Sequence, residues 1–335
     1  MTTRAPAVSW LIPIQNAEDT LAEALSGVLA QRHAPDFEVV CVDDASRDRT
    51  PELLADFARA DPRIRIIKGQ GTGLVDALNL GFAHCTGDLV ARMDADDLVS
   101  PDRLSLQCAY LRDHPGCAGV GSRVRLWPQP LTQGAARFQA FLDDTLTHEQ
   151  LHAARFIESP LVHPTLTLRR EVLQALHGWR DLGFAEDWDL VLRLLHGGHR
   201  LAKVPEVLLD WRDRPQRLTR TGSAYRAEQH MRLRAYHLAN GPLKNRAFDL
   251  WGAGPTGKRL LRALESHGLR PRKVFDIDPR KHVARGVTIT PGSDIRPPDG
   301  TLLLCAVGAA SAHESLRAAL EPVGYREDDT YIFCA

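Results

Sequence analysis

Three aspartates stand within four residues, Asp94-Ala95-Asp96-Asp97, directly after the apolar run Leu89–Met93. Like charges this close repel one another unless a cation offsets them, and carboxylates with room for water suit Mg²⁺ or Mn²⁺. An ion of that kind could hold a nucleotide diphosphate. The plainer alternative is a solvated acidic turn that also caps a helix starting near Pro101. Asp-x-Asp alone does not decide between them, because short motifs match by chance. A second pair, Asp43-Asp44, follows another apolar run, Phe37–Val42.

The elements that must position these acids alternate in type. Ala7–Ile14, Phe37–Val42, Ile64–Ile67 and Leu89–Met93 read as strands. Between them, Asn16–Ala30, Thr50–Ala60 and Leu74–His84 carry helical spacing. Strands separated by such helices predict βαβ units in a parallel sheet. Carboxyl ends of parallel strands share one edge, so both acid groups are expected at one crevice. One group would serve the base or ribose, the other the metal and diphosphate.

Val8–Gln31, Val39–Asp48 and Asn79–Asp97, the last ending in the Asp-x-Asp motif, resemble family 2 glycosyltransferases of the GT-A fold. The resemblance continues through Ser100–Leu104, His163-Pro164-Thr165, Arg169–Leu173, Gly178-Trp179-Arg180 and Ala185–Leu190, in family order over roughly residues 5–215. Gln15 departs from it, since an aromatic residue is usual there. The resemblance implies an inverting transfer from a nucleotide-sugar donor, a UDP-sugar by default, to a hydroxyl on a glycan or lipid-linked acceptor. It implies donor contacts from Pro13, Ile14, Asp43, Asp44, Asp94 and Ala95, with Asp96 as the main metal ligand beside Asp94. Asp187 would be the catalytic base, taking the acceptor's proton as the new bond forms. Acids at the start of a helix also favour its dipole, and Asp187 can do both. The setting implied is surface polysaccharide or glycoconjugate synthesis.

Other motifs carry less. His148-Glu149-Gln150-Leu151-His152 has the form H-E-x-x-H, but no third ligand of the right kind follows, so a polar helix beside the acceptor cleft is expected instead of zinc. An EF-hand at Asp94 fails, because Val99 and Ser105 stand where Gly and Glu are needed. Trp211–Arg220 is basic and aromatic-flanked, so it reads either as a solvated linker or as a segment closing over the diphosphate, with Arg212 and Arg214 as the candidates, since a guanidinium bonds phosphate oxygens in pairs.

Beyond a helical linker over residues 221–244, residues 245–335 read as a small Rossmann-like α/β domain, leaving 1–220 as the catalytic domain. Phe248–Trp251 leads into Gly252-Ala253-Gly254-Pro255-Thr256-Gly257 and a helix, and Asp276 ends the next strand. That is G-x-G-x-x-G in strand–turn–helix context, with an acid placed for a ribose hydroxyl, hence a candidate second nucleotide site. The unit is about one mononucleotide half, and fold does not fix function, so a packing or partner-docking role stands beside nucleotide binding.

The alternatives are a sugar nucleotidyltransferase, an NAD(P)-linked enzyme using the C-terminal domain, or a non-catalytic nucleotide-sugar binder. The first would show a Gly-rich basic loop where Ile14-Gln15-Asn16-Ala17-Glu18 stands. The second lacks a visible partner for hydride transfer, and the third has no use for Asp44, Asp94, Asp96 and Asp187 together. Among 335 residues, 42 basic side chains balance 42 acidic ones, which gives no general pull toward nucleic acid. Six scattered cysteines without a C-x-x-C pair read as reduced thiols, so a cytoplasmic protein is expected. No apolar run reaches the ~18–20 residues of a membrane helix, so any membrane association would be peripheral.

Overall fold

A computed structural model of the chain describes residues 7–335 with the exceptions of Gln216 and Ala309. The residues group into two units. One gathers residues up to Leu151, Pro160–Leu182 and Glu186–Arg217; the other gathers His152–Ser159, Gly183–Ala185 and Leu218–Ala335.

The first unit is built on strands β1 (Val8–Ile14), β2 (Phe37–Asp43), β3 (Ile64–Lys68), β4 (Leu89–Arg92), β5 (Leu98–Val99), β6 (Cys117–Trp127), β7 (Thr167–Arg169) and β8 (Arg200–Arg212). They form one mixed, mostly parallel sheet in the order β3-β2-β1-β4-β7-β6-β8-β5. β7 enters antiparallel to β4 and β6, and β5 runs antiparallel to β8. The period of two along β1 divides its side chains between two cores. Val8, Trp10, Ile12 and Ile14 join Leu21, Leu25 and Val28 of the helix Leu21–Leu29 on one face. Leu11 packs on the other with Val40, Val42, Leu78 and Val191. A sheet covered on both faces needs near-continuous apolar strands, and these have them.

The first helix starts at Leu21, later than the spacing from Asn16 predicts. Asn16 has a positive φ of 51°, and its side-chain oxygen accepts a bond from Arg47 N–H at 2.8 Å. That turn fastens the loop after β2. Residues 126–157 contain the end of β6 and the helices Gln133–Asp144 and His148–Ala154.

The second unit holds β9 (Phe248–Trp251), β10 (Val274–Asp276), β11 (Val283–Ala284), β12 (Val287–Pro291), β13 (Leu302–Cys305) and β14 (Tyr331–Phe333), ordered β11-β12-β10-β9-β13-β14. All neighbours are parallel except β11 and β12. Residues 152–159, which the sequence reading placed in the first domain, group here for a physical reason. Phe156 is fully buried, and Arg234 donates to the carbonyls of Phe156 and Ile157 at 2.8 and 2.5 Å. Arg155 pairs with Asp328 at 2.5 Å. No helix among the described residues is long and apolar enough to cross a membrane.

Candidate active site

Register brings the acids to one edge. Ile14 pairs with Asp43 on one side of β1, and Leu11 pairs with Arg92 on the other. Asp43-Asp44 and Asp94–Asp97 therefore leave the sheet from strands flanking the same neighbour, at their carboxyl ends.

Asp94, Asp96 and Asp97 each offer an oxygen within 4.8 Å of the others, the only such metal-capable group among the described residues. Asp97 is fully buried: one oxygen accepts Arg212 N–H at 2.9 Å, and Oδ2 has no hydrogen-bond partner. Burial, followed by the charge of Asp94, raises the pKa of Asp96 and raises that of Asp97 well above the usual carboxylate range. Burial acts the same way on Asp94, but Arg92, whose Nη1 lies 2.5 Å from its Oδ1, holds it below that range. Two acids are thus short of positive charge, with an orphaned buried oxygen among them. An all-oxygen set of this kind fits a hard divalent cation such as Mg²⁺ or Mn²⁺.

Of the basic segment, Arg217 bears on all three acids. Its guanidinium lies 3.9 Å from the centre of the Trp211 ring. Arg214 bears on Asp96 and lies 3.7 Å from Asp19. The guanidinium of Arg212 turns instead to Glu23 at 2.7 Å, over the Trp127 ring. The sequence did not single out Arg217; nothing in its spacing distinguishes it from its neighbours.

Asp187 opens the helix Glu186–His196, and its Oδ1 accepts Trp188 N–H at 2.7 Å. Burial, then the neighbouring Glu186, raises its pKa to about 6. Glu186 Oε1 stands 3.5 Å from Nδ1 of the buried His163, whose Nε2 accepts the Trp179 indole N–H at 2.9 Å. Burial and Arg92 push the His163 pKa down to about 3, so at neutral pH the ring is uncharged. With Nε2 accepting, its proton sits on Nδ1, toward Glu186. Asp94 and Asp187 both bear on His163, and Arg92 bears on Asp94, Glu186 and Asp187. The strand-end cluster and the helix-start pair therefore meet around Arg92 and His163. Only the placement of an arginine inside the apolar run of β4 hinted at Arg92 beforehand.

Asp44 is buried, and its two oxygens accept the N–H groups of Gly71 and Gly73 at 2.8 and 3.0 Å. A Cβ on Gly69 would stand 2.6 Å from Asp44 Oδ1, which is why that loop can close so tightly. Asp43 accepts Ser46 N–H at 3.1 Å, and Gln15 reaches the Asp44 carbonyl at 2.8 Å. The side chains of Pro13, Ile14 and Ala95 are buried, and the Ile14 carbonyl accepts Asp44 N–H at 2.8 Å.

The remaining motifs lie elsewhere. Glu149 pairs with Arg200 and His152 with Asp328, so the H-E-x-x-H residues gather no metal set. In the second unit, a Cβ on Gly257 would meet the Gly252 carbonyl at 1.8 Å, and Gly254 has open space. Asp276 accepts Ala253 N–H at 2.7 Å and Lys281 at 2.9 Å, so its carboxylate fastens the glycine loop itself.

The family model described as Glycosyl transferase family 2 matches residues 9–176, half of the chain. The chain belongs to glycosyl transferase family 2. EpsE of Bacillus subtilis (strain 168), named as a glycosyltransferase, is 30% identical over 66% of this chain and 78% of its own. The amylovoran biosynthesis glycosyltransferase AmsE of Erwinia amylovora is 27% identical over 60% and 74%. Among solved structures, S. aureus TarS 1–349 in complex with UDP-GlcNAc is similar at a TM-score of 0.57 and 20% identity, covering 78% of this chain and 72% of that one. The mannosyltransferase PcManGT from Pyrobaculum calidifontis, in complex with GDP-Man and Mn²⁺, gives 0.50 and 23%, covering 71% and 63%. This family 2 glycosyltransferase thus shares the GT-A type α/β fold, and it transfers sugar.

Proposed function

We propose that the enzyme moves a sugar, with inversion, from a nucleoside-diphosphate sugar to a hydroxyl of a glycan or lipid-linked acceptor. The observation that carries this reading is that Asp94 lies 2.5 Å from the buried Arg92 guanidinium while Glu186, beside Asp187, stands 3.5 Å from the buried His163 ring. The acceptor oxygen attacks the anomeric carbon from the face opposite the diphosphate. The bond to the diphosphate breaks, and the acceptor's proton passes to Asp187. A pKa of about 6 suits that task, because the group is ionised at neutral pH yet still basic.

Asp96, with Asp94 and Asp97, would hold Mg²⁺ or Mn²⁺, which when bound offsets negative charge on the departing diphosphate. Arg217, with Arg214, would face the same diphosphate from the protein side. Pro13, Ile14, Asp43 and Asp44 would frame the base and ribose, Asp44 by holding the Gly71–Gly73 loop. UDP as the nucleotide is supported by TarS structures in complex with UDP and UDP-GlcNAc. A role in polysaccharide assembly is supported by relatives named for amylovoran and succinoglycan biosynthesis. Residues 1–220 carry this activity in our reading, with 221–244 as a linker and 245–335 as an appended domain.

Calorimetric titration with UDP tests it. Mn²⁺ should tighten UDP binding to the wild type, and Asp96→Asn should weaken metal-dependent binding at least about tenfold, roughly 1.4 kcal/mol. Identical titrations for both proteins would refute the metal assignment.

A further inference from the structure

We propose that the outer face of the helix Pro255–Glu265, with the arm Ile277–Arg285 beside it, is a docking surface for an anionic lipid bilayer, bound peripherally and reversibly.

The neutral total charge hides an uneven distribution. Residues 218–285 carry 15 basic side chains against 5 acidic ones, so over the rest of the chain acids exceed bases by ten. In the helix Pro255–Glu265, Gly257, Leu260, Leu261 and Leu264 are buried, and Lys258, Arg259 and Arg262 stand exposed. Residues 258, 262 and 265 fall on one stripe by helical spacing. Glu265, the acid of that stripe, is taken by Arg285, whose Nε lies 2.9 Å from its Oε1. The same bond brings the arm against the helix. Lys258, Arg259 and Arg262, with Arg270 and Lys273 after them, are exposed and make no ion pair among the described residues. Lys258 and Arg262, four positions apart, repel one another, so this set is a cost to the fold that an anionic partner would relieve.

The arm adds apolar contact. Ile277 is 81% exposed and Val283 58%, more than any other large hydrophobic side chain among the described residues. Val283 lies on β11, the free edge of the sheet. Between the two, Arg280 and Lys281 are paired with Asp278 and Asp276, so the net charge comes from the helix and not from the arm. Unneutralised cations flanked by bare aliphatic side chains fit a layer of anionic headgroups with acyl chains beneath. They fit a nucleic acid poorly, because single strands are held by stacking on aromatic rings, and Phe248, Trp251 and Phe275 are all buried.

The test is co-sedimentation of the full chain with phosphatidylcholine vesicles, with and without phosphatidylglycerol. Binding is expected only where phosphatidylglycerol is present. It should weaken as salt shortens the screening length from ~10 Å at 0.1 M to ~3 Å at 1 M. Each basic side chain near such a surface is worth about fivefold in affinity, so the triple variant Lys258→Ala, Arg259→Ala, Arg262→Ala should bind roughly a hundredfold more weakly. Ile277→Ser should cost about tenfold at any salt. Should the triple variant melt early, Arg259→Gln alone should still cost about fivefold. Equal binding to both kinds of vesicle would overturn the proposal, as would a well-folded triple variant that sediments like the wild type. Tighter binding to a single-stranded oligonucleotide than to the phosphatidylglycerol vesicles would assign the face to nucleic acid and overturn it as well.

Discussion

Asp187→Asn should make this protein slower and more stable at once, and the two effects should part company with pH. The carboxyl of Asp187 is raised from 3.8 to about 6 by burial and by Glu186 beside it. A shift of about two units is worth roughly 3 kcal/mol. The unfolded chain gives up this proton near pH 4, whereas the folded chain keeps it until about 6. Between those values the folded state binds more protons, so stability falls as pH rises, and the whole penalty stands above about pH 6. Asparagine is neutral throughout and keeps an oxygen for Trp188 N–H. Chemical denaturation at pH 8 should therefore show the variant more stable by roughly 3 kcal/mol, with the gain vanishing near pH 4. Transfer at pH 8 should fall 10²–10⁴-fold, in order of magnitude, as removal of a general base does. A variant with unchanged turnover, or one less stable than the wild type at pH 8, would refute the reasoning.

Gly69→Ala should disturb the nucleotide end of the site. Its Cβ would sit 2.6 Å from Asp44 Oδ1 and 3.0 Å from Asp44 Cα, so backbone must move, at about 1–3 kcal/mol. A lower denaturation midpoint and weaker UDP titration are expected, while Gly116→Ala, in open space, should change neither. A chain ending at Arg217 should not fold to the stability of the full protein, because residues 152–159 belong to the second unit and would lose the partners of Phe156 and Arg155. Melting of the truncated chain at the full-length temperature would count against this.

What the sequence made legible was what strand periodicity controls. Apolar runs ending in Asp43-Asp44 and Asp94–Asp97 had to share an edge once the sheet was parallel, and register bears that out at Ile14 and Leu11. Asp187 was nominated by resemblance; its surroundings were not, because Trp179, His163 and Arg92 lie far apart along the chain and their meeting depends on tertiary packing. The same limit applies to Arg217. Arg212, Arg214 and Arg217 are alike in the sequence, and only the turn after β8 decides that one guanidinium faces Glu23 and another the acids. Residues 152–159 group with the second unit and not with the first, where the sequence placed them, for a related reason, since a short stretch carries no mark of which core will take it.

The interleaving of the two units gives the chain a timetable. Arg155 and its partner Asp328 are 173 positions apart. At ribosomal speeds of about 5–20 residues per second, roughly 10–35 s separate their emergence. For that interval Phe156, buried in the folded protein, stays uncovered on the nascent polypeptide, the kind of transiently exposed apolar surface that chaperones hold.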